Sequence, residues 1–336
     1  MPLDLTIPPA FADRVSRHLP EAGVEGADWL RRLPRLVEEC VERWQLTVDG
    51  PPRHGMAALV LPVRRTDRSP AALKVTWPHP EARHEHLALR RWDGHGAVRL
   101  LAADPSRWAM LLEWLDPTRD LTGLAVDEAC TILGTLLHRL DVPALPQTAR
   151  LSEEARRWAE LLATAATTPR VAGGAPIPRR LLERAQQLAL ELAEDADVDA
   201  RLVHQDLHYE NVLAGDVAGA ARRDSGDVAG AARGTSERGR GWLAIDPKPL
   251  AGEPAFAVAP ALWNRFEEAA ATADLRRALR RRVRLICAAA GIDEDRARDW
   301  AVVREAVNAV WEAETAGADT PAVLTRKVAT IKAMLP

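Results

Sequence analysis

The chain has 336 residues, enough to bury a sizeable core and to form two lobes or domains. A formal net charge of −3, with 47% hydrophobic and 28% charged residues, is ordinary for a globular protein and gives no global basic field for nucleic acid. No apolar run approaches the ~20 residues of a membrane span, the N-terminus lacks a secretion signal and the three cysteines are widely spaced. We therefore expect a cytoplasmic protein with free thiols and no nucleic-acid or membrane partner.

The first part of the chain is predicted to be rich in β-strands. Residues 27–44 carry apolar side chains at helical spacing, so 1–48 is expected to be an N-terminal helical segment. A helix is also predicted over 78–94. Apolar runs bounded by proline- and glycine-containing turns predict strands at 45–50, 57–65, 71–77, 98–104 and 108–115. The region 49–115 is thus expected to be a β-rich unit with one helix.

The second part of the chain, 116–336, is predicted to be mostly helical. Apolar residues three and four positions apart indicate helices at 124–140, 151–166, 178–195, 265–290 and 296–315. Two short β stretches interrupt this pattern, LVHQDLHYEN at 202–211 and WLAIDPK at 242–248, and both end in polar residues. The fold class is therefore predicted to be α+β, with the strands first and most of the helices afterwards.

A low-complexity insert separates the two polar-ended stretches. GDVAGAAR occurs at 215–222 and again at 226–233, followed by GTSERGRG. Few large apolar side chains are available there to bury, and two copies are too few for a solenoid. We expect 215–241 to be a mobile insert without a direct functional role.

The polar residues of these stretches match the needs of phosphoryl transfer. That reaction needs a carboxylate to orient the attacking hydroxyl, oxygen ligands for Mg²⁺ and a cation on the phosphates. Asp206 and Asn211 have the five-residue spacing of a kinase catalytic loop, and Asp246 follows the apolar run WLAI. Lys74 stands in the strand-like run ALKV, and Glu85 on the next helix is a candidate ion-pair partner.

Each of these residues also has a simpler interpretation. Asp206 and Asn211 are typical of turns and helix caps. Lys74 on its own would be interpreted as a surface lysine on an edge strand, and Glu85 as one more solvated glutamate on a helix. Their joint order along the chain favours the functional interpretation.

The motifs LVHQDLHYENVL, WLAIDPKPLAGEP and MLLEWLDP resemble those of the aminoglycoside phosphotransferase family. The resemblance is strongest to its streptomycin 6-phosphotransferase and hydroxyurea phosphotransferase branch. It implies a bilobal protein-kinase-like fold, in which 49–115 is the nucleotide-binding N-lobe and 116–336 is a helical C-lobe with the catalytic loop and the acceptor site. It also implies ATP and Mg²⁺ as cofactors.

The resemblance assigns roles to individual residues. Asp206 is implied to be the catalytic base or hydroxyl-orienting group, with Asn211 and Asp246 as Mg²⁺ ligands. Lys74 is implied to hold the α- and β-phosphates, with Glu85 as its partner and Glu81 as the alternative.

Further roles follow from the same resemblance. The backbone from Glu113 to Leu115 is implied to pair with adenine. His204 is expected to brace the catalytic loop, and His208 to support it beside the metal.

The acceptor implied by the resemblance is a small, cationic hydroxyl compound, above all streptomycin at its 6-hydroxyl. Trp263, Asn264 and Glu267 are the candidate acceptor contacts, although core packing explains Trp263 equally well. Alternatives are hydroxyurea, another aminoglycoside, a sugar or aminocyclitol, or a nucleotide-binding scaffold without catalysis. The chain is expected to be a monomer or a dimer.

The chain also departs from the common family pattern. Gln205 stands where relatives commonly have glycine, and Ala257 stands where an aspartate often anchors the catalytic loop. Only Gly50 and Gly55 flank the expected phosphate loop, which leaves the choice between ATP and GTP open.

Overall fold

The computed structural model describes residues 5–18, 20–167, 177–215, 241–315 and 320–336. The chain forms two compact units, Met1–Asp116 and Pro117–Pro336. Within the described ranges, no helix combines the length and the apolar character that crossing a membrane requires. Most of the predicted insert, 216–240, lies outside the described residues.

The first unit is built around a six-stranded antiparallel sheet with the order β1-β3-β4-β6-β5, in which β2 also pairs with β3. Strands β3 and β4 carry the apolar side chains that form the centre of the core. The strands are β1 (Thr47–Val48), β2 (Arg53–His54), β3 (Ala58–Arg64), β4 (Pro70–Thr76), β5 (Leu100–Asp104) and β6 (Ala109–Glu113).

Two N-terminal helices, α1 (Pro9–Arg17) and α2 (Gly26–Arg43), are part of the same core as this sheet. Phe11 of α1 is fully buried and stacks on His54, with ring centroids 5.3 Å apart. Gly26 permits the contact between the helices, because a Cβ there would lie 2.1 Å from Val15 O. The N-terminal segment is therefore packed into the first unit.

Helix α3 (Glu85–Trp92) is shorter than the helix predicted over 78–94. Pro78 and Pro80 restrict the residues before them, and only a 3₁₀ turn, Pro80–Ala82, forms there. The helix ends where Asp93 adopts a left-handed conformation with φ of 44°. Glu85 is consequently the first residue of the helix, while Glu81 lies exposed in the preceding turn.

The second unit contains two small sheets, with the orders β11-β10-β7 and β12-β9-β8. Pairing of β9 with β12 and of β10 with β11 is antiparallel. The strands are β7 (Asp116–Asp120, which starts at the unit boundary), β8 (Val142–Pro143), β9 (Arg201–His204), β10 (Val212–Ala214), β11 (Trp242–Ala244) and β12 (Pro249–Gly252).

Helices form the rest of the described part of the second unit, which confirms the predicted α+β class. They are α4 (Val126–Arg139), α5 (Leu151–Thr167), α6 (Arg179–Ala193), α7 (Pro260–Trp263), α8 (Phe266–Ala270), α9 (Leu275–Ala290), α10 (Glu294–Glu314) and α11 (Thr320–Met334). The single helix predicted over 265–290 was wrong, because Asp274 caps a new helix by accepting from Arg277 N at 2.9 Å.

Candidate active site

The first unit contains a buried ion pair on the strand predicted to hold phosphates. Lys74 Nζ in β4 lies 2.6 Å from Glu85 Oε1 at the start of α3, and the side chains are only 6% and 2% exposed. Glu85, the predicted partner, therefore contacts Lys74 directly. A cation fixed in this way is oriented without the freedom of a surface lysine.

The predicted adenine-binding stretch begins at the end of β6. Glu113 Oε1 accepts from Arg99 N at 2.8 Å, and Glu113 N donates to Arg99 O at 3.0 Å. Leu115, two residues further on, is buried. These bonds fix the backbone of the stretch at its start.

His204 ends strand β9 and is hydrogen-bonded on both ring nitrogens. Nδ1 accepts from Asp206 N at 3.2 Å, so Nε2 carries the proton and donates to Ile245 O at 3.0 Å. Burial lowers the pKa of His204 to about 4, which keeps the imidazole neutral at pH 7. The ring therefore joins the two polar-ended stretches through their backbones.

Asn211 and Asp246 are brought to neighbouring positions by the pairing of β10 with β11. Val212 pairs with Ala244, and Ile245 N donates to Asn211 O at 2.9 Å. Asn211 Nδ2 donates to Asp206 O at 2.9 Å, which leaves its amide oxygen Oδ1 for a cation. Asp246 is exposed, and its backbone has a φ of 55°.

Asp206 has two close side-chain neighbours in the second unit. Lys248 Nζ lies 3.3 Å from Oδ2, and His208 Nε2 lies 3.9 Å from Oδ1. Burial is the main cause that lowers the pKa of His208, and its buried Nδ1 has no hydrogen-bond partner among the described residues. No role was predicted for Lys248. The one feature of the sequence that could have identified it is its position two residues after Asp246.

Arg304 of α10 binds the backbone of the loop that carries Asp206. Its Nη1 donates to Gln205 O at 2.7 Å, immediately before Asp206. The guanidinium lies over the rings of Phe256 and Trp263, at 4.5 Å and 5.2 Å from their centroids. Sequence reasoning did not identify this arginine, because a helix 99 positions away gives no local signal.

The segment that departs from the family pattern is nevertheless well held. Ala257 is buried and contributes no anchoring carboxylate. Glu253 instead binds α10, since it accepts from Trp300 Nε1 at 2.5 Å and from Arg296 Nε. The loop support that Ala257 lacks is therefore supplied by α10, through Arg304.

The candidate acceptor contacts have different environments. Trp263 is half-buried beside Arg304, and the buried Asn264 Oδ1 has no hydrogen-bond partner in the part of the chain that the structure describes. Glu267 is exposed and forms an ion pair with Arg326 at 3.0 Å.

The donor set fits Mg²⁺ that arrives with a polyphosphate. Asp246 and Asn211 offer one carboxylate and one amide oxygen, the hard ligands that Mg²⁺ prefers while it keeps several waters. The described residues contain no cluster of three or more His, Cys, Asp or Glu that could form a complete metal cage.

Comparison with known proteins gives one matching family and several similar relatives. The family model described as aminoglycoside/hydroxyurea antibiotic resistance kinase matches residues 43–316. A streptomycin 6-kinase of Streptomyces glaucescens is 40% identical over 299 residues, covering 88% of each chain. A hydroxyurea phosphotransferase of Kitasatospora aureofaciens is 40% identical over 310 residues, covering 90% of this chain and 80% of the relative.

A solved structure supports the fold. A choline/ethanolamine kinase family protein from Mesorhizobium loti matches with a TM-score of 0.54 and 15% identity, over 89% of this chain and 94% of that one. The fold is thus kinase-like and the enzyme class is phosphotransferase, as predicted. The chain belongs to the aminoglycoside/hydroxyurea antibiotic resistance kinase family.

Proposed function

We propose that the protein transfers the γ-phosphoryl group of ATP to a hydroxyl of an antibiotic, with the 6-hydroxyl of streptomycin as the leading acceptor. The observation that carries this proposal is the position of Asp206. Its loop is fixed by His204 and Arg304, and its backbone is bonded to Asn211, next to Asp246. The relatives point to an antibiotic as the acceptor.

In this mechanism Asp206 orients the acceptor hydroxyl and takes its proton. The hydroxyl oxygen forms a bond to the γ-phosphorus while the bond to the β–γ bridging oxygen breaks, and the electron pair leaves with ADP. A positioned acid–base group contributes about 10²–10⁴-fold to such a step. His204, being neutral, fixes the loop without adding charge beside the carboxylate.

The first unit supplies the groups proposed to bind the nucleotide. We assign Lys74 to the α- and β-phosphates, with Glu85 holding its ammonium. The backbone from Glu113 to Leu115 is assigned to adenine.

Asn211 Oδ1 and the Asp246 carboxylate are proposed to hold Mg²⁺, which would neutralise part of the negative charge of the phosphate oxygens. Asp246→Asn should raise the Mg²⁺ concentration needed for half-maximal rate. Asp206→Asn should leave that concentration unchanged, since Asp206 is not assigned to the metal. If this Mg²⁺ concentration rises in Asp206→Asn and stays unchanged in Asp246→Asn, Asp206 is the metal ligand and the assignment of Asp246 is wrong.

We further propose Trp263, Asn264 and Glu267 as acceptor contacts. A cationic acceptor can displace Arg326 from Glu267 at little cost, because an exposed ion pair is worth about 0–1 kcal/mol. Glu267→Gln should raise KM for streptomycin and leave KM for ATP unchanged. An unchanged KM for streptomycin would remove Glu267 from the site.

Incubation with Mg-ATP and streptomycin tests the function directly. Mass spectrometry should find one added phosphoryl group, and NMR should place it on the 6-hydroxyl. Asp206→Asn is the matched control, since it keeps the shape of the side chain and removes the carboxylate. Unmodified streptomycin with the wild-type protein would refute the acceptor assignment.

Hydroxyurea is the second candidate acceptor, because the hydroxyurea phosphotransferase relative is as similar as the streptomycin 6-kinase. The two are separated by kcat/KM measured for each compound through ADP release. Preference for hydroxyurea, or for a neutral sugar or aminocyclitol, would replace streptomycin. Nucleotide binding without transfer to any acceptor would support an inactive scaffold.

A further inference from the structure

Lys248 is the cation nearest to Asp206 in the described part of the second unit. Its Nζ lies 3.3 Å from Asp206 Oδ2, with the lysine side chain 34% exposed and the aspartate side chain 25% exposed. It stands two positions after Asp246, on the segment between β11 and β12. Both residues are therefore accessible enough to meet substrates while they contact each other.

The backbone holds Lys248 in place next to the catalytic loop. Lys248 O accepts from Gln205 N at 3.2 Å, and the following residue, Pro249, pairs with His204 in the β9–β12 ladder. Pro247 and Pro249 flank the lysine and restrict its backbone. The lysine thus starts from a fixed position, although its own stem is flexible.

The two carboxylate oxygens of Asp206 have different surroundings. Oδ2 is paired with the ammonium of Lys248, whereas the described residues place no hydrogen bond on Oδ1. The neighbour of Oδ1 is His208, whose Nε2 lies 3.9 Å away, beyond hydrogen-bond distance. Oδ1 is therefore the oxygen left to accept a hydrogen bond from a hydroxyl.

Folding stability gives little reason for this pair. A partly exposed ion pair contributes little to folding stability, because water screens the two charges and holding both side chains in place costs entropy. The same contact has a larger effect on reactivity, because a misplacement of about 1 Å in a reacting group can cost about 10²-fold in rate.

We propose that Lys248 is a positioning residue for phosphoryl transfer. Its ammonium holds Oδ2 of Asp206, so that Oδ1 faces the acceptor hydroxyl and receives its proton as the oxygen–γ-phosphorus bond forms and ADP leaves. Lys248 keeps its own protons throughout. This inference rests on the proposed function and adds a residue supplied by the segment after the metal-binding position.

Replacement of the charge with an isosteric chain tests the role. Lys248→Met should lower kcat about 10- to 100-fold, the range for a misoriented reacting group. KM for ATP and for the acceptor should change less than about threefold, because an interaction made only in the transition state affects kcat rather than ground-state binding. Lys248→Arg should restore part of the lost rate. Lys332→Met, at an exposed position on α11, is the matched control and should behave as wild type.

A double-mutant cycle with Asp206→Asn shows whether Lys248 acts through Asp206. If it does, Lys248→Met causes no further loss in the Asp206→Asn background, as residues acting as a unit are not additive. A further loss of the same size would overturn the inference and indicate that the lysine acts on the phosphates by itself. An unchanged kcat in Lys248→Met alone would also overturn it.

The thermal unfolding of each variant separates misfolding from misorientation. If Lys248→Met unfolds at the assay temperature, Lys248→Gln takes its place as the uncharged variant. Its kcat is then compared with that of Lys248→Arg, which keeps the positive charge. Absence of turnover by the wild-type protein would refute the proposed function. Turnover by the wild type with full activity in the uncharged variants would refute only the role of Lys248.

Discussion

Replacement of Glu85 with Gln tests whether the buried ion pair of the first unit serves the proposed binding of ATP. The pair is 2.6 Å long and its side chains are 6% and 2% exposed. Removing one partner of a buried pair costs about 3–5 kcal/mol, because the other charge stays in a poorly solvating place. We expect Glu85→Gln to lower the free energy of unfolding by about that amount, and to raise KM for ATP as Lys74 loses its orientation.

A double replacement separates stability from function. Apolar residues in place of a buried pair are often neutral or stabilising, so Lys74→Met/Glu85→Leu should recover most of the lost stability. Phosphoryl transfer should stay lost in the double variant, because no cation is left for the α- and β-phosphates. Recovery of the free energy of unfolding without recovery of phosphoryl transfer would therefore show that the pair serves the substrate.

Urea titration followed by tryptophan fluorescence, together with ATP saturation kinetics, measures both quantities. Glu183→Gln is the control, because the Arg179–Glu183 pair has side chains 70% and 49% exposed and should cost less than about 1 kcal/mol. The reasoning is refuted if Glu85→Gln unfolds like this control, or if the double variant turns over ATP normally.

Three further predictions concern the supports of the site. Arg304→Met should lower kcat about 10- to 100-fold with little change in KM for ATP, since Gln205 O loses its donor beside Asp206, the proposed catalytic residue; steady-state kinetics with unchanged kcat would contradict this. Phe11→Ala should cost about 3–5 kcal/mol in urea titrations and raise KM for ATP, because Phe11 packs on His54 in the expected phosphate loop. Deletion of 216–240 should leave kcat/KM within about threefold of wild type, because the residues on either side are already hydrogen-bonded, with Gly215 N donating to Gly241 O at 2.5 Å. A large loss of kcat/KM would show that the insert is functional.

The parts of the fold with strong local patterns were predictable. Helix α5, predicted over 151–166, is observed as Leu151–Thr167, because regular apolar spacing and long length leave few alternatives. The change from strands to helices was predicted near residue 115, and the two compact units divide after Asp116. Strand β7 was missed, because Asp116–Asp120 is polar and forms a strand only through its pairing.

The site was predictable only where chemistry fixes spacing along the chain. Asp206 and Asn211 are five positions apart because one loop must present both groups, and the structure bonds them to each other. Lys248 and Arg304 reach this loop through tertiary contacts, and neither contact has a local sequence signal. The contact of Glu85 with Lys74 likewise depended on where the prolines allow α3 to begin.

Single-turnover kinetics of Asp206→Asn with streptomycin, combined with ATP binding by calorimetry, tests the central claim most directly. The variant should transfer phosphate about 10²–10⁴-fold more slowly than the wild type, because the group that receives the hydroxyl proton is gone. Its affinity for Mg-ATP should be unchanged, since Asp206 is not assigned to the nucleotide or the metal. Phosphoryl transfer at the wild-type rate would contradict the account.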